Sequence, residues 1–171
     1  MATIALGAVF IALCAWVSIP LVVPITLQLF GVFCCLELLG GRNGTLAIVV
    51  YLALGAVGLP VFAGFRGGFD VLVGVTGGYL WSMPIIGLLY WLGTALGGTR
   101  TPLRAALLAA GLLLCYAIGT AWFVYVQNAR HVAVGVWSAL CSCVLPFVLF
   151  DVVKLVGAMA VAKRVKPHIG L

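Results

Sequence analysis

Asp151 and Lys154 form the one acidic and basic pair that lies in a stretch apolar enough to enter a membrane, LPFVLFDVVK at residues 145–154. Between Phe147 and Ala162 they are the only charged side chains, and a spacing of three sets them side by side on one helical face. A carboxylate that accepts hydrogen bonds beside an ammonium that donates them suits three kinds of chemistry. The two form an ion pair that stitches helices together, the floor of a polar pocket, or the base and acid of a membrane-embedded enzyme. An ionised residue at the centre of a spanning helix costs about 2.5 to 3.5 kcal/mol, so such a pair needs a cavity, a ligand or each other. Intramembrane ionisable residues mark function by default, which favours the pocket floor. Pro146 suits the first turn of a helix. Asp151 then lies about 7 Å along the axis from the start, near one membrane face.

Positioning that pair is the task of a chain that is 65% hydrophobic and 7% charged, against roughly 25% charged in a soluble domain. The composition is that of an integral membrane protein. The 171 residues accommodate about six spans of ~20 residues in a single domain over residues 1–171, with no room for a soluble domain. A net charge of +6 arises from nine scattered basic residues and three acids. No run of like charge tracks a phosphate backbone, so nucleic acid is not an expected partner, whereas membrane lipid is. The six cysteines all lie in apolar runs without a C-x-x-C and read as small core residues. With two distant histidines, His131 and His168, neither a metal site nor any other cofactor is expected.

Along the chain, residues 2–19 make a first span that lacks the features of a cleaved secretory signal and is expected to be retained. Ala5, Ala8, Ala12 and Ala15 form a small-residue stripe on it. Such a stripe is either an internal packing seam or a docking surface for a partner helix. Pro20 and Pro24 then bracket a segment that cannot be helical throughout, an ordered loop whose polar side chains are Thr26 and Gln28. A second span covers residues 29–39 and ends at GGRNG, where Glu37 is placed to answer Arg42. A third covers 45–62, with Pro60 near its end.

Residues 63–78, AGFRGGFDVLVGVTGG, hold six glycines in sixteen positions, a poor helix interior that lets backbone approach a ligand. The stretch reads as a lid or binding loop and carries Arg66 and Asp70. A fourth span runs over 79–96, and a fifth over 103–126, followed by the polar loop at 127–131. Residues 132–162 are too long for one upright helix and too short for two spans. Pro146 divides them into a short re-entrant or interfacial helix and a sixth span. Termini on the inner side place Arg42, Arg100, Arg104, Lys163, Arg164 and Lys166 inside, leaving only Arg66 and Arg130 outside. The Pro20 to Gln28 loop, the glycine-rich loop and the Asp151–Lys154 pair then converge at the outer face.

Four blocks, VPITLQLFGV from Val23, GAVGLPVFAG from Gly55, GGFDVLVGVTGGYL from Gly67 and LPFVLFDVVK from Leu145, together resemble BioY, the biotin-binding S component of energy-coupling factor (ECF) transporters. One departure is Val75 before Thr76, where the family commonly has proline. The resemblance implies an all-α integral membrane protein of the cell membrane, with six transmembrane helices and irregular outer loops. It implies biotin as substrate, and a transmembrane coupling subunit with paired ATPases as partners. It also implies that Asp151, Lys154 and the loop between helices 3 and 4 bind the vitamin. Biotin carries two ureido NH donors, a ureido carbonyl, an apolar bicycle and a carboxylate tail. Asp151 suits the nitrogens and Lys154 the carbonyl or the carboxylate. Phe62, Phe69 and Tyr79, with Trp81 as a further wall, suit the bicycle. Backbone NH groups at Gly67, Gly68 and Gly77 suit an anion, and Thr26, Gln28, Arg66 and Thr76 complete the expected site. No G-x-x-x-x-G-K-[ST] occurs, so energy has to come from partners. The alternatives are an S component for another small vitamin, an enzyme using Asp151 and Lys154, or a purely structural helix-packing protein. The enzyme lacks a second catalytic constellation.

Overall fold

The computed structural model describes residues 1–21, 23–132 and 134–169. Among them, seven α-helices follow in order: α1 (Ala2–Trp16), α2 (Gln28–Ala56), α3 (Phe69–Val73), α4 (Gly77–Gly97), α5 (Thr101–Ala129), α6 (Val136–Cys143) and α7 (Leu145–Ile169). Four of them, α2, α4, α5 and α7, are long and apolar enough to cross a membrane, and the shorter α1 is also apolar.

Helix α2 is not one rod. Gly40 inside it has φ 79° and ψ 168°, a conformation open to glycine and costly for residues with a Cβ. The chain reverses there. Gln28 Nε2 donates to the Tyr51 hydroxyl at 2.9 Å, although 23 residues on a straight helix would separate the two by ~34 Å. Close to the reversal, Gly44 lies against the backbone of Cys35 and Leu36, where a Cβ would collide. The expected second and third spans are therefore the two legs of one helical hairpin, and GGRNG is its turn.

The reversal also changes the partner of Glu37. Glu37 is 1% exposed, accepts from the Tyr90 hydroxyl at 2.9 Å and pairs with Arg104 at 3.0 Å. Arg42, its expected partner, is carried past the turn into an exposed position. The Glu37–Arg104–Tyr90 cluster ties the turn end of α2 to the facing ends of α4 and α5.

Most of the alanine stripe of α1 is buried in an internal seam. Ala8, Ala12 and Ala15 are 1%, 6% and 0% exposed, and among the four only Ala5 lies in the open. Small residues on both sides let α1 approach both legs of α2 closely, the first through Gly31 and the second through Ala47. A Cβ added to Gly31 would sit 3.2 Å from the Ile11 Cα, and one on Gly7 would sit 2.9 Å from the Ala47 Cβ. That is the close contact for which small-residue pairs are used in membranes.

The remaining segments are short and gather at one end. The proline-bracketed segment forms a two-stranded antiparallel hairpin, β1 (Ser18–Ile19) with β2 (Ile25–Thr26). The glycine-rich stretch holds a 3-10 turn at Ala63–Phe65 followed by α3, so it is more ordered than its glycine content suggests. Pro146 lies in the first turn of α7 as expected, and the short helix expected before it is α6.

Candidate substrate-binding site

Helix α7 presents Asp151 and Lys154 to the interior with 2% and 7% exposure. Lys154 Nζ lies 2.6 Å from Asp151 Oδ1, as the spacing of three predicts. The other carboxylate oxygen, Oδ2, accepts from the Tyr116 hydroxyl of α5 at 2.7 Å. Two donors from two helices thus fix the plane of the carboxylate. The pair carries no net charge, and among the described residues no further hydrogen bond takes up its remaining lone pairs and protons.

These groups form the floor of a cavity of about 510 Å³, within the range of small-molecule sites. One wall is Thr26 of β2 and Gln28 at the start of α2; Thr26 Oγ1 accepts the Gln28 backbone N–H at 3.2 Å. Gln28 is 5% exposed, and its amide is held by Tyr51 and by Met83 Sδ at 3.3 Å. A second wall is apolar. Phe62 is 1% exposed, its ring meets Tyr51 edge-on at 5.6 Å and 84°, and it lies so close over Gly55 that any Cβ there would enter the ring. Tyr79 of α4 shares a 3.3 Å hydrogen bond with Thr120. Phe147 and Cys143 close the side towards α6 and α7.

The loop at the mouth is pinned from α1. Trp16 Nε1 donates to the Pro60 carbonyl at 2.8 Å, and its ring lies 4.9 Å from that of Phe65. Phe65 adopts φ 57°, unusual for an aromatic residue, and the Phe62 N–H bonds to the Arg66 carbonyl at 2.9 Å across the turn.

Of the residues expected from sequence, Asp151, Lys154, Thr26, Gln28, Phe62, Arg66, Thr76 and Tyr79 all line this one cavity. Gly67, Gly68, Phe69 and Gly77 do not. Gly67 packs against the carbonyls of Gly58 and Leu59. The Gly68 N–H bonds to the Gly55 carbonyl at 2.8 Å, and the Gly77 N–H to that of Gly74 at 3.0 Å. With these two donors committed, the expected anion nest is not formed. Phe69 is 60% exposed, and Trp81 hydrogen-bonds the Leu72 carbonyl at 3.0 Å away from the cavity. Sequence reasoning missed Tyr116, Met83, Phe147 and Arg130, all of which line the wall. Tyr116 had a signal: a lone hydroxyl in the apolar run LLLCYAIG has to find a partner when buried.

The BioY family model matches residues 1–170. The chain belongs to the BioY family. Among its relatives, "Biotin transporter BioY" of Thermotoga maritima is 45% identical over 163 residues, covering 89% of this chain and 86% of that one. "Probable biotin transporter BioY" of Pyrococcus horikoshii is 39% identical over 167 residues, 95% of each chain. Among solved structures, the S-component for biotin from an ECF-type ABC transporter, determined at 2.1 Å, matches with a TM-score of 0.85 over 97% of this chain and 89% of that one. At 24% identity that likeness is one of fold. All four sequence blocks by which the chain resembled BioY contribute to the cavity wall, from Val23 in the first to Lys154 in the last. This BioY-family member is thus a multi-pass membrane protein in which each of the four blocks contributes to one pocket.

Proposed function

We propose that this chain captures biotin in the cavity and delivers it across the membrane as the substrate-specific subunit of an ECF-type transporter. The observation that carries the reading is the buried Asp151–Lys154–Tyr116 floor beneath an apolar wall, in a chain whose relatives are named biotin transporters. The ureido group lies at the floor, where its two NH groups meet Asp151 and its carbonyl meets Lys154. The group is neutral, so no net charge enters the interior. The bicycle packs on Phe62 and Tyr79, and the carboxylate remains at the mouth near Arg66, partly hydrated. Energy comes from paired ATPases through a transmembrane coupling subunit. No catalytic role falls to this chain.

Six spans follow when the two legs of α2 are counted separately with α1, α4, α5 and α7, and α6 is then the short re-entrant or interfacial helix. The Gly40 reversal and the short Gln28 to Tyr51 distance support that count. Both termini lie in the cytoplasm under the positive-inside rule, with Arg42, Arg100, Lys163 and Arg164 on the inner side and Arg66 and Arg130 on the outer. An impermeant thiol label should reach cysteines introduced at Phe65 or Gln127 in intact cells, and at Thr99 only after lysis, in a background without native cysteines. The opposite pattern would overturn the orientation. Uptake of labelled biotin in cells that require it tests the function. The expected result is uptake that depends on this chain and rises with a coupling module; no uptake in any combination would sink the proposal.

A further inference from the structure

The chain contains three acidic residues, Glu37, Asp70 and Asp151. Two are committed at short range, Glu37 to Arg104 and Asp151 to Lys154. Asp70 is then the one acid left for every other cation of the chain. Two of those cations, Arg66 and Arg130, line the cavity together with Asp70, and all three are exposed. They reach the wall from separate segments. Arg66 follows the 3-10 turn, whose closing bond is made by its own carbonyl. Arg130 caps the C-terminus of α5, with its backbone N–H bonded to the Gln127 and Val126 carbonyls at 3.0 and 3.2 Å. The cavity lining therefore carries three cations, Arg66, Arg130 and Lys154, and two acids, Asp70 and Asp151. The floor pair balances itself, so the unmatched positive charge sits at the mouth.

We propose that Arg130, acting with Arg66, makes the mouth a receptor for a single carboxylate and so selects monoanionic substrates whose charge lies at the end away from the floor. This rests on the biotin reading and deepens it. A competing role for Arg130, interaction with the C-terminal dipole of α5, would not distinguish one ligand from another. A cleft with an excess of one sign raises the arrival rate of oppositely charged ligands by about tenfold or more, and salt removes the effect.

The test uses the purified full chain and two ligands, biotin and its neutral tail amide. Association rates are measured in rapid mixing at about 0.02 M and about 1 M salt, where the Debye length falls from roughly 20 Å to about 3 Å. In the parent, biotin should associate roughly tenfold faster than the amide at low salt, with the ratio falling towards one at high salt. Arg130→Gln should lower the low-salt ratio severalfold, and Arg130→Lys should keep most of it. A low-salt ratio near one in the parent would overturn the inference without any variant. So would an Arg130→Gln ratio equal to the parental one. If neither ligand binds the parent, the biotin reading fails and takes this inference with it. Binding of both at equal rates overturns this inference alone.

Discussion

Lys154→Ala removes one half of a pair that is almost fully enclosed, with its Nζ 2.6 Å from Asp151 Oδ1. The stranded carboxylate keeps the Tyr116 hydroxyl at 2.7 Å but, among the described residues, pairs with no other cation. Breaking a buried pair in this way costs about 3 to 5 kcal/mol, most of it the penalty of leaving a charge alone in a poorly solvated place. Exposures of 2% and 7% leave solvent little room to reduce that figure. Replacing both partners by apolar residues of similar size, Asp151→Leu with Lys154→Met, removes the pair and the penalty together. Such replacements are often neutral, or stabilising by about 1 to 4 kcal/mol. The pocket-floor account thus separates two quantities. Thermal unfolding in detergent should show the single variant well below the parent and the double variant close to it. Biotin titration should show binding lost in both. The double variant is the decisive one, because a pair that only stitches helices together would regain binding along with stability. A double variant that is stable and still binds biotin like the parent would refute the argument.

Tyr116→Phe deletes the donor to Asp151 Oδ2; a hydrogen bond to a charged group contributes about 1.5 to 3 kcal/mol, so biotin affinity should fall about tenfold or more in a titration. Unchanged affinity would mean that Tyr116 does not position the carboxylate. Ala12→Trp forces a large ring into the seam between α1 and α2, where overpacking costs about 1 to 3 kcal/mol or more. It should lower thermal stability and biotin binding together; a variant that melts and binds like the parent would contradict the internal seam. Glu37→Gln leaves Arg104 without its anion and should lower the unfolding temperature with one biotin still bound per chain, whereas Arg42→Gln should leave melting unchanged. Equal effects of the two would contradict the Glu37–Arg104 pairing.

The parts of the site that were legible in the sequence are those governed by short-range periodicity. Asp151 and Lys154 meet because three residues make almost one helical turn, and Pro146 marks a helix start because proline fits a first turn. The resemblance to BioY supplied part of the outline of the pocket, since all four of its blocks contribute to the wall. Contacts between distant helices were not legible. Tyr116 lies 35 residues from Asp151, and the local sequence does not indicate which helix its hydroxyl meets. Glu37 was matched to Arg42 by nearness along the chain. The left-handed backbone at Gly40 sends Arg42 outward, and α5 brings Arg104 from far along the sequence. The glycines of the lid segment pointed to backbone exposed to a ligand. Instead, Gly68 and Gly77 bond neighbouring carbonyls, and Gly67 lets the loop pack against Leu59.

The central claim is that one biotin sits on the Asp151–Lys154–Tyr116 floor with its ureido group inward. Calorimetric titration of the purified chain with biotin and with its methyl ester tests it most directly, repeated on Lys154→Ala. The account predicts one site per chain in the parent, an ester affinity within about tenfold of that of the acid, and equal loss of both ligands in the variant, so that the coupling term of the cycle is near zero. An ester that fails to bind the parent, with acid and ester bound alike by Lys154→Ala, would place the carboxylate on Lys154 and contradict it.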